Sequence, residues 1–432
     1  MAQKSKQWAA IIMMIALFAM IAFVTNLCSP MATIVKNQFG ASELAGQIGN
    51  YANFIAYLVM GIPSGMLIAK FGYKKTALMA LVVGIVGLAF EYFSGIAESY
   101  VVYLVGAFIS GLCMCMLNTV VNPLLNVLGG GGKTGNQLIQ VGGAANSAAA
   151  VAVYILMGAL IGEVTKKTAI VDATPALAIA GAIFVVAFVV LLFTKIEEPE
   201  RTKVEFSLIT GALKYRHFTL GIIAIFLYMS VEVGTPTYMI SYLQTPSVGI
   251  SAGVASLIAA VYWLMMFVGR TIGGSIGGKV SSRAMVSTVA IGAIALLLFG
   301  IFAPASWKVT VIGIDWANLS MIYPEVPISV LAFILVGLCT SVMWGGIFNM
   351  AVEGLGKYTA AASGIFMTMV FGCAVMVAIQ AGFQDVVTSD ANPGNDLYSY
   401  FVSVACAAYI LFYALIGSRP SKKALAEAEA AE

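Results

Sequence analysis

The chain has 432 residues, 61% of them hydrophobic and 9% charged, with a formal net charge of +3. An ordinary soluble domain is about 25% charged. The composition therefore excludes a water-soluble protein of this length and implies a polytopic membrane protein whose few charges matter by their placement.

The N-terminus places Lys4 and Lys6 before a long apolar run. This resembles a signal peptide, but no small-residue cleavage site closes a short apolar region, so the run is expected to be a retained first span. A membrane-crossing helix needs about 20 mostly apolar residues. Twelve segments meet that need: 8–34, 44–69, 76–95, 100–126, 136–162, 174–194, 218–243, 252–276, 284–303, 327–351, 360–383 and 397–417. With the N-terminus inside, eighteen Lys and Arg fall at inner segments, Arg270 counted among them, and four (Lys36, Lys166, Lys167 and Lys308) at outer ones. The bias predicts cytoplasmic termini, and a bacterial cytoplasmic (inner) membrane is the expected location.

The longest inner polar stretch divides the spans six and six. The expected organisation is a first six-helix bundle over 1–194, a cytoplasmic linker over 195–217, a second bundle over 218–418 and a tail over 419–432. The tail ends in the low-complexity "ALAEAEAAE". Segments 304–326 and 384–396, which carry Asp315, Glu325, Asp385, Asp390 and Asp396, read as solvated outer loops.

The two halves share weak internal similarity. "GIPSGMLIAKFGYKK" (61–75) after span 2 parallels "GRTIGGSIGGKVSSR" (269–283) after span 8. "NPLLNVLG" (122–129) parallels "GGIFNMAVEGLG" (345–356), matching Asn126 with Asn349. "FVTNLCSP" (23–30) parallels "MSVEVGTP" (229–236), matching Asn26 with Glu232 and Pro30 with Pro236. Such repeats imply two related bundles with a ligand site near mid-membrane between them. The expected fold is an all-α membrane protein of twelve transmembrane helices in two pseudo-symmetric six-helix bundles, the major facilitator layout.

Polar groups inside hydrocarbon are costly and tend to face a bundle interior or a wet cavity. Glu232 lies near the middle of span 7 and is the only formally charged residue between Arg216 and Arg270. An ionised carboxylate there needs a cation or several donors, so Glu232 is expected to be protonated in at least one state. That behaviour suits proton coupling, and a carboxylate holding a cation suits sodium coupling. A permanently neutral Glu bonded to a neighbouring helix is the structural alternative. Pro236, four residues on, frees the Glu232 carbonyl. Asn50, Asn53 and Tyr57 share one face of span 2, and Asn118 and Asn122 one face of span 4. Span 5 adds Gln140 and Asn146, span 8 Tyr262 and Trp263, span 10 Trp344 and Asn349, and span 11 Gln380. Amides donate and accept, which fits a hydroxyl-rich neutral ligand, and aromatic rings fit the apolar face of a sugar. Bonds between helices are the competing use of these amides.

Other motifs argue against enzyme chemistry. The six cysteines sit in apolar runs, which suits neither a disulfide framework nor a metal site. "GGGGKTGN" (129–136) lacks the strand–loop–helix setting of a phosphate loop and reads as an inner turn. His217, the only histidine, lies at the inner mouth of span 7. No cofactor, metal or nucleic-acid partner is expected.

The chain resembles the fucose–proton symporter family, including its glucose/galactose branch. The residues that carry the resemblance are "NTVVNPLLNVLG" (118–129), "FLYMSVEVG" (226–234), "YWLMMFVGR" (262–270), "IQAGFQD" (379–385) and the basic turn "AKFGYKK" (69–75). The resemblance implies a twelve-helix sugar importer working by alternating access. It places Glu232 where the glucose/galactose branch has a span 7 acid, and matches Asn122 and Asn146 to family amides. Ser29 and Asn118 stand where the family typically has acids, and "WGGIFN" (344–349) where it usually has a Pro. A coupling scheme built on those acids does not carry over, which marks a divergent member.

The expectation is thus a monomeric secondary transporter of a neutral sugar, a hexose or related monosaccharide, coupled to H+ or Na+ through Glu232. Asn26, Asn50, Asn53, Asn118, Asn122, Gln140, Asn146, Tyr262, Trp263, Trp344, Asn349 and Gln380 are the expected substrate contacts. A carrier of a nucleoside or polyol, a uniporter or exporter, and a non-transporting receptor or scaffold are the alternatives.

Overall fold

The computed structural model describes residues 7–39, 43–161, 168–198, 210–315, 320–387 and 397–420. Among them, 12 helices are long and apolar enough to cross a membrane. The first is Trp8–Phe39, followed by Glu43–Phe71, Tyr73–Ile96, Tyr100–Leu128, Gly132–Ile161 and Thr174–Phe193. The second half begins with Arg216–Leu243, continues through Ala252–Ile276 and Ser282–Phe302, and ends with Ile328–Val352, Ala361–Gln384 and Tyr400–Gly417. We number these spans 1 to 12. An even number of crossings puts Gln7 and Ser418 on the same face, called here the terminal face.

Turn chemistry fixes the short connections. Spans 2 and 3 are joined through Gly72 at φ 86°, a left-handed position that glycine takes without a steric penalty. The four-glycine turn between spans 4 and 5 holds Gly130, Gly131 and Gly132 at φ 83°, 72° and 53°. Its glycines serve backbone curvature, and the segment enters no phosphate loop. Ser99 caps span 4 by accepting from the Val102 N–H.

Small residues set the packing of the helices. A Cβ on Gly87 would meet the Ser110 backbone N at 2.7 Å, and one on Gly106 the Glu91 backbone N at 2.7 Å, so spans 3 and 4 touch nearly backbone to backbone. Close approach through small residues is the usual way to gain dispersion contact where lipid is as apolar as the helix. In that contact Glu91 is buried and accepts from Ser110 Oγ at 2.7 Å. A second buried acid therefore lies in span 3.

The two halves meet along span 5 against span 8 and span 2 against span 11. Gly364 lies against Gly61 and Gly65, and Gly274 against Val141. Span 5 starts, and span 8 ends, at the terminal face. The same holds for the start of span 11 and the end of span 2. These contacts therefore close the terminal half of the interface.

The segment expected as a solvated loop over 304–326 is instead partly sheet. Lys308–Thr310 pairs antiparallel with Glu325–Pro327, and Gly313–Asp315 with Ser320–Ile322. Val309 is half-buried and Val326 fully buried, and Gly313 packs on Val254 at the outer end of span 8. These apolar residues and a helix end to rest on give the hairpin the packing that a free loop lacks. The other expected outer loop is helical as far as Val387, and residues 388–396 lie outside the described set. The linker residues 199–209 and the tail from 421 also lie outside it.

Candidate solute-binding cavity

Span 7 is not one regular helix. Arg216–Met229 is α-helical, Ser230–Gly234 forms a single π turn, and Thr235–Leu243 resumes the α-helix with Pro236 in its first turn. Proline has no N–H to offer the carbonyl four residues back, which belongs to Glu232. A widened turn accommodates that defect, and such π turns recur at functional sites. Glu232 sits inside the turn and is buried, with 8% of its surface exposed.

The turn borders a cavity of about 150 Å3 between the two halves. Asn26, Asn118, Asn146, Glu232, Trp263 and Trp344 line it, and all six are among the residues the sequence singles out. Phe18, Ile21, Phe54 and Met229 supply an apolar wall.

One side of the cavity is a hydrogen-bonded chain that crosses from half to half. Asn118 Nδ2 donates to the Tyr57 hydroxyl at 2.9 Å. Asn122 Nδ2 donates to the Asn118 backbone O at 3.0 Å, and Trp344 Nε1 donates to Asn122 Oδ1 at 3.2 Å. Asn122 is thus one bond behind the wall. Asn26 donates to its own helix at Ala22 O, 2.8 Å away, and its carbonyl oxygen is not used in that bond. Thr25 Oγ1, also at the cavity, has no protein hydrogen-bond partner.

The floor is built around Arg270, which is buried. Its Nη1 donates to Gly143 O at 2.9 Å, to Asn146 Oδ1 at 3.0 Å and to Ser147 Oγ at 2.9 Å, all on span 5. Its Nε donates to Ser341 O on span 10 at 3.2 Å. Its Nη2 reaches Glu232 Oε1 at 3.4 Å. A charge-assisted hydrogen bond normally spans about 2.7–2.9 Å, so the ion pair is a single long contact, while the bonds to span 5 are tight. The arrangement neutralises Glu232 and at the same time ties the second half to the first.

Arg270 does not belong to the inner-face charge cluster that its position in the sequence suggests. It lies within an apolar run, with six further residues of span 8 beyond it. Its removal leaves seventeen inner cations against four, so the bias is unchanged. Glu232 is likewise not a lone charge.

The remaining candidates lie elsewhere. Gln140 Nε2 donates to Val342 O at 3.3 Å, and Asn349 accepts from Asn126 Nδ2 at 3.0 Å while donating to Ser282 Oγ at 2.9 Å. All these bonds but the last cross between the halves, on the terminal side of the cavity. Tyr262 is fully buried, its hydroxyl 3.0 Å from Thr340 Oγ1, with Trp263 edge-on beside it. Asn53 is buried at the contact with Gly111 of span 4. Gln380 is buried on the far side of the π turn, against Gly234. Asn50 is on span 2, and its side chain, like that of Ser29, lies outside the described set. His217 is buried at the terminal end of span 7, with Nε2 at 2.8 Å from Glu353 O.

A cavity at mid-depth between two six-helix halves, shut on one face and walled by amides, aromatics and a charged pair, defines a membrane carrier. The profile of the Major Facilitator Superfamily matches residues 13–378, and the chain belongs to that superfamily, whose members are transporters and not enzymes. It is 26% identical over 413 residues to the glucose/galactose transporter of Brucella abortus biovar 1 (strain 9-941), covering 93% of this chain and 92% of that one. It is 26% identical over 426 residues to the putative glucose/galactose transporter of Helicobacter pylori, covering 96% and 98%. The L-fucose-proton symporter of Escherichia coli (strain K12) is 21% identical over 430 residues, covering 94% and 92%. Among solved structures, FucP in the outward conformation superposes with a TM-score of 0.77 at 20% identity, covering 95% of this chain and 99% of that one. XylE bound to 6-bromo-6-deoxy-D-glucose does so at 0.73 and 13% identity, covering 98% of each. The resemblance read from the short motifs is thus to the right family, and the divergence is real.

Proposed function

We propose that the chain is a secondary transporter that imports a neutral sugar, a hexose or related monosaccharide, by alternating access coupled to a proton at Glu232. The observation that carries this reading is the joint placement of the Glu232–Arg270 pair and the Asn118–Tyr57 and Asn146 amides at one cavity. Relatives named for glucose, galactose and fucose agree with it.

The physical sequence follows from the bonds. The contacts at the terminal face are closed here, and on this reading the cavity opens to the opposite side. On the proposed topology the termini are cytoplasmic, the membrane is the bacterial inner membrane, and this state faces outward. A sugar entering it meets unused amide oxygen at Asn26, the Thr25 hydroxyl, and the indoles of Trp263 and Trp344. Each hydroxyl that replaces water by a protein partner keeps its hydrogen bonds, while the ring's apolar face gains contact with aromatic surface. Protonation removes the charge that Glu232 sets against Arg270. The guanidinium then loses its one carboxylate and keeps only neutral acceptors on spans 5 and 10. A change in charge at this junction alters the free energy of the contact that holds the halves together, as coupling requires. Opening inward breaks the Arg270 bonds to span 5 together with the Gln140–Val342 and Asn126–Asn349 bonds. On this reading the carrier acts as a monomer.

Reconstitution tests the reading. Sugar counterflow in proteoliposomes, run against a panel of hexoses, pentoses, polyols and nucleosides, is expected to select a hexose or its close relative. Selective flux of a nucleoside with no sugar flux would overturn it.

A further inference from the structure

Behind the π turn, away from the cavity, lies a second polar cluster. Ser230, Thr235, Gln380 and Ser403 are each fully buried. Thr235 Oγ1, both polar atoms of the Gln380 amide and Ser403 Oγ have no protein hydrogen-bond partner. Ser230 Oγ makes no bond to oxygen or nitrogen and faces only the weakly polar thiol of Cys406.

Two of these oxygens converge on one point, and the other two lie on the segments that flank it. A Cβ on Gly234 would lie 2.6 Å from Gln380 Oε1 and 3.8 Å from Ser230 Oγ, so both oxygens converge on the hollow that the missing side chain leaves. On span 12, Tyr400 donates to Thr235 O at 3.0 Å and Cys406 faces Ser230. Ser403 stands midway between them on the same helix face, opposite the turn. Within the same span Thr237 uses its hydroxyl in the ordinary way, donating back to Val233 O at 2.7 Å, whereas the Ser230 and Thr235 hydroxyls do not back-bond.

Buried polar atoms left unpaired cost free energy, so a guest species is required. A buried water makes about three such bonds, so water is the competing guest. Oxygen ligands suit a hard cation. Calcium and magnesium sites are built with carboxylates, and the described residues hold no cluster of three acidic, His or Cys groups. We propose that the hollow behind the π turn is a sodium site, liganded by Ser230 Oγ, Thr235 Oγ1, Gln380 Oε1 and Ser403 Oγ. Sodium there braces the turn that carries Glu232. This inference goes beyond the sugar reading and is tested without it.

The test is a thermal unfolding titration of the purified full chain in detergent, with NaCl replacing choline chloride at constant ionic strength and a parallel KCl series. A saturable rise in Tm specific to sodium is expected for the parent. Ser230→Ala, a minimal change, and Gly234→Ala, whose methyl group meets Gln380 Oε1, are expected to raise the half-saturating sodium concentration at least tenfold. Gln380→Met serves as a third variant. Absence of a sodium-specific shift in the parent, an equal response to potassium, or unchanged half-saturation in Ser230→Ala would each overturn the proposal and leave the cluster as a water site. Failure of sugar counterflow would count against the transport reading alone.

Discussion

Asn126 of span 4 and Asn349 of span 10 occupy matching places in the two halves of the sequence, and their side chains meet. Nδ2 of Asn126 donates to Oδ1 of Asn349 at 3.0 Å. The internal repeat thus contributes both members of one hydrogen bond across the pseudo-symmetric interface. The bond lies on the face that must open for release to the terminal side. A net contribution of about 1 kcal/mol is typical for such a bond. Asn126→Ala is therefore expected to raise the population open to the terminal face by roughly fivefold. Alkylation of a cysteine introduced at Gln137, which packs against Gly277 and Gly278 in the closed interface, measures this directly. Unchanged labelling would remove the bond from the gate.

Arg270 is expected to be the most sensitive position in the cavity floor. Arg270→Met removes five donor contacts at once and strands Glu232. Breaking a buried ion pair from one side costs about 3–5 kcal/mol. The variant should unfold at a clearly lower temperature than the parent. Adding Glu232→Gln should recover part of that loss, because no buried charge is then left without its partner. A double variant no more stable than Arg270→Met would mean that the Glu232 charge is not held by Arg270.

Trp344 has two roles, as aromatic wall and as donor to Asn122. Trp344→Phe keeps a ring and removes the N–H. Loss of one such bond at a binding wall is expected to weaken sugar affinity about tenfold. Trp263→Leu removes aromatic surface and should weaken it by a similar factor. Equilibrium binding of the preferred sugar, followed by quenching of the remaining tryptophans, reports both.

Glu91 supplies the internal control. It is as buried as Glu232, but its hydrogen-bond partner is Ser110 in the contact between spans 3 and 4, and it does not line the cavity. Glu91→Gln is expected to leave concentrative uptake within about twofold of the parent, because an amide also accepts from a hydroxyl. Loss of accumulation in this variant would move part of the coupling away from the cavity.

Much of this architecture is legible in the chain because lipid imposes simple rules. Hydrophobic length reveals twelve spans, and a charge in mid-span singles out Glu232. The Asn118–Asn122 pair is legible from helical spacing alone. Arg270 escaped that logic because a basic residue near the end of an apolar run reads equally well as an interfacial anchor. Only the span 5 partners, the Gly143 carbonyl, the Asn146 amide and the Ser147 hydroxyl, decide that it is buried. Gln140, Asn349 and Gln380 group with the cavity amides in the sequence because it gives the type of a side chain and not which neighbour its face meets. The outer hairpin is not legible for a related reason, since its strands are three residues long and depend on support from span 8.

The account depends most on the carboxylate of Glu232 being the group that links ion movement to solute movement. Glu232→Gln in proteoliposomes tests it, with accumulation under an imposed pH gradient compared with counterflow at equal pH. Accumulation is expected to fall to the level of passive equilibration while counterflow is partly retained. A variant that still concentrates sugar like the parent would contradict the mechanism.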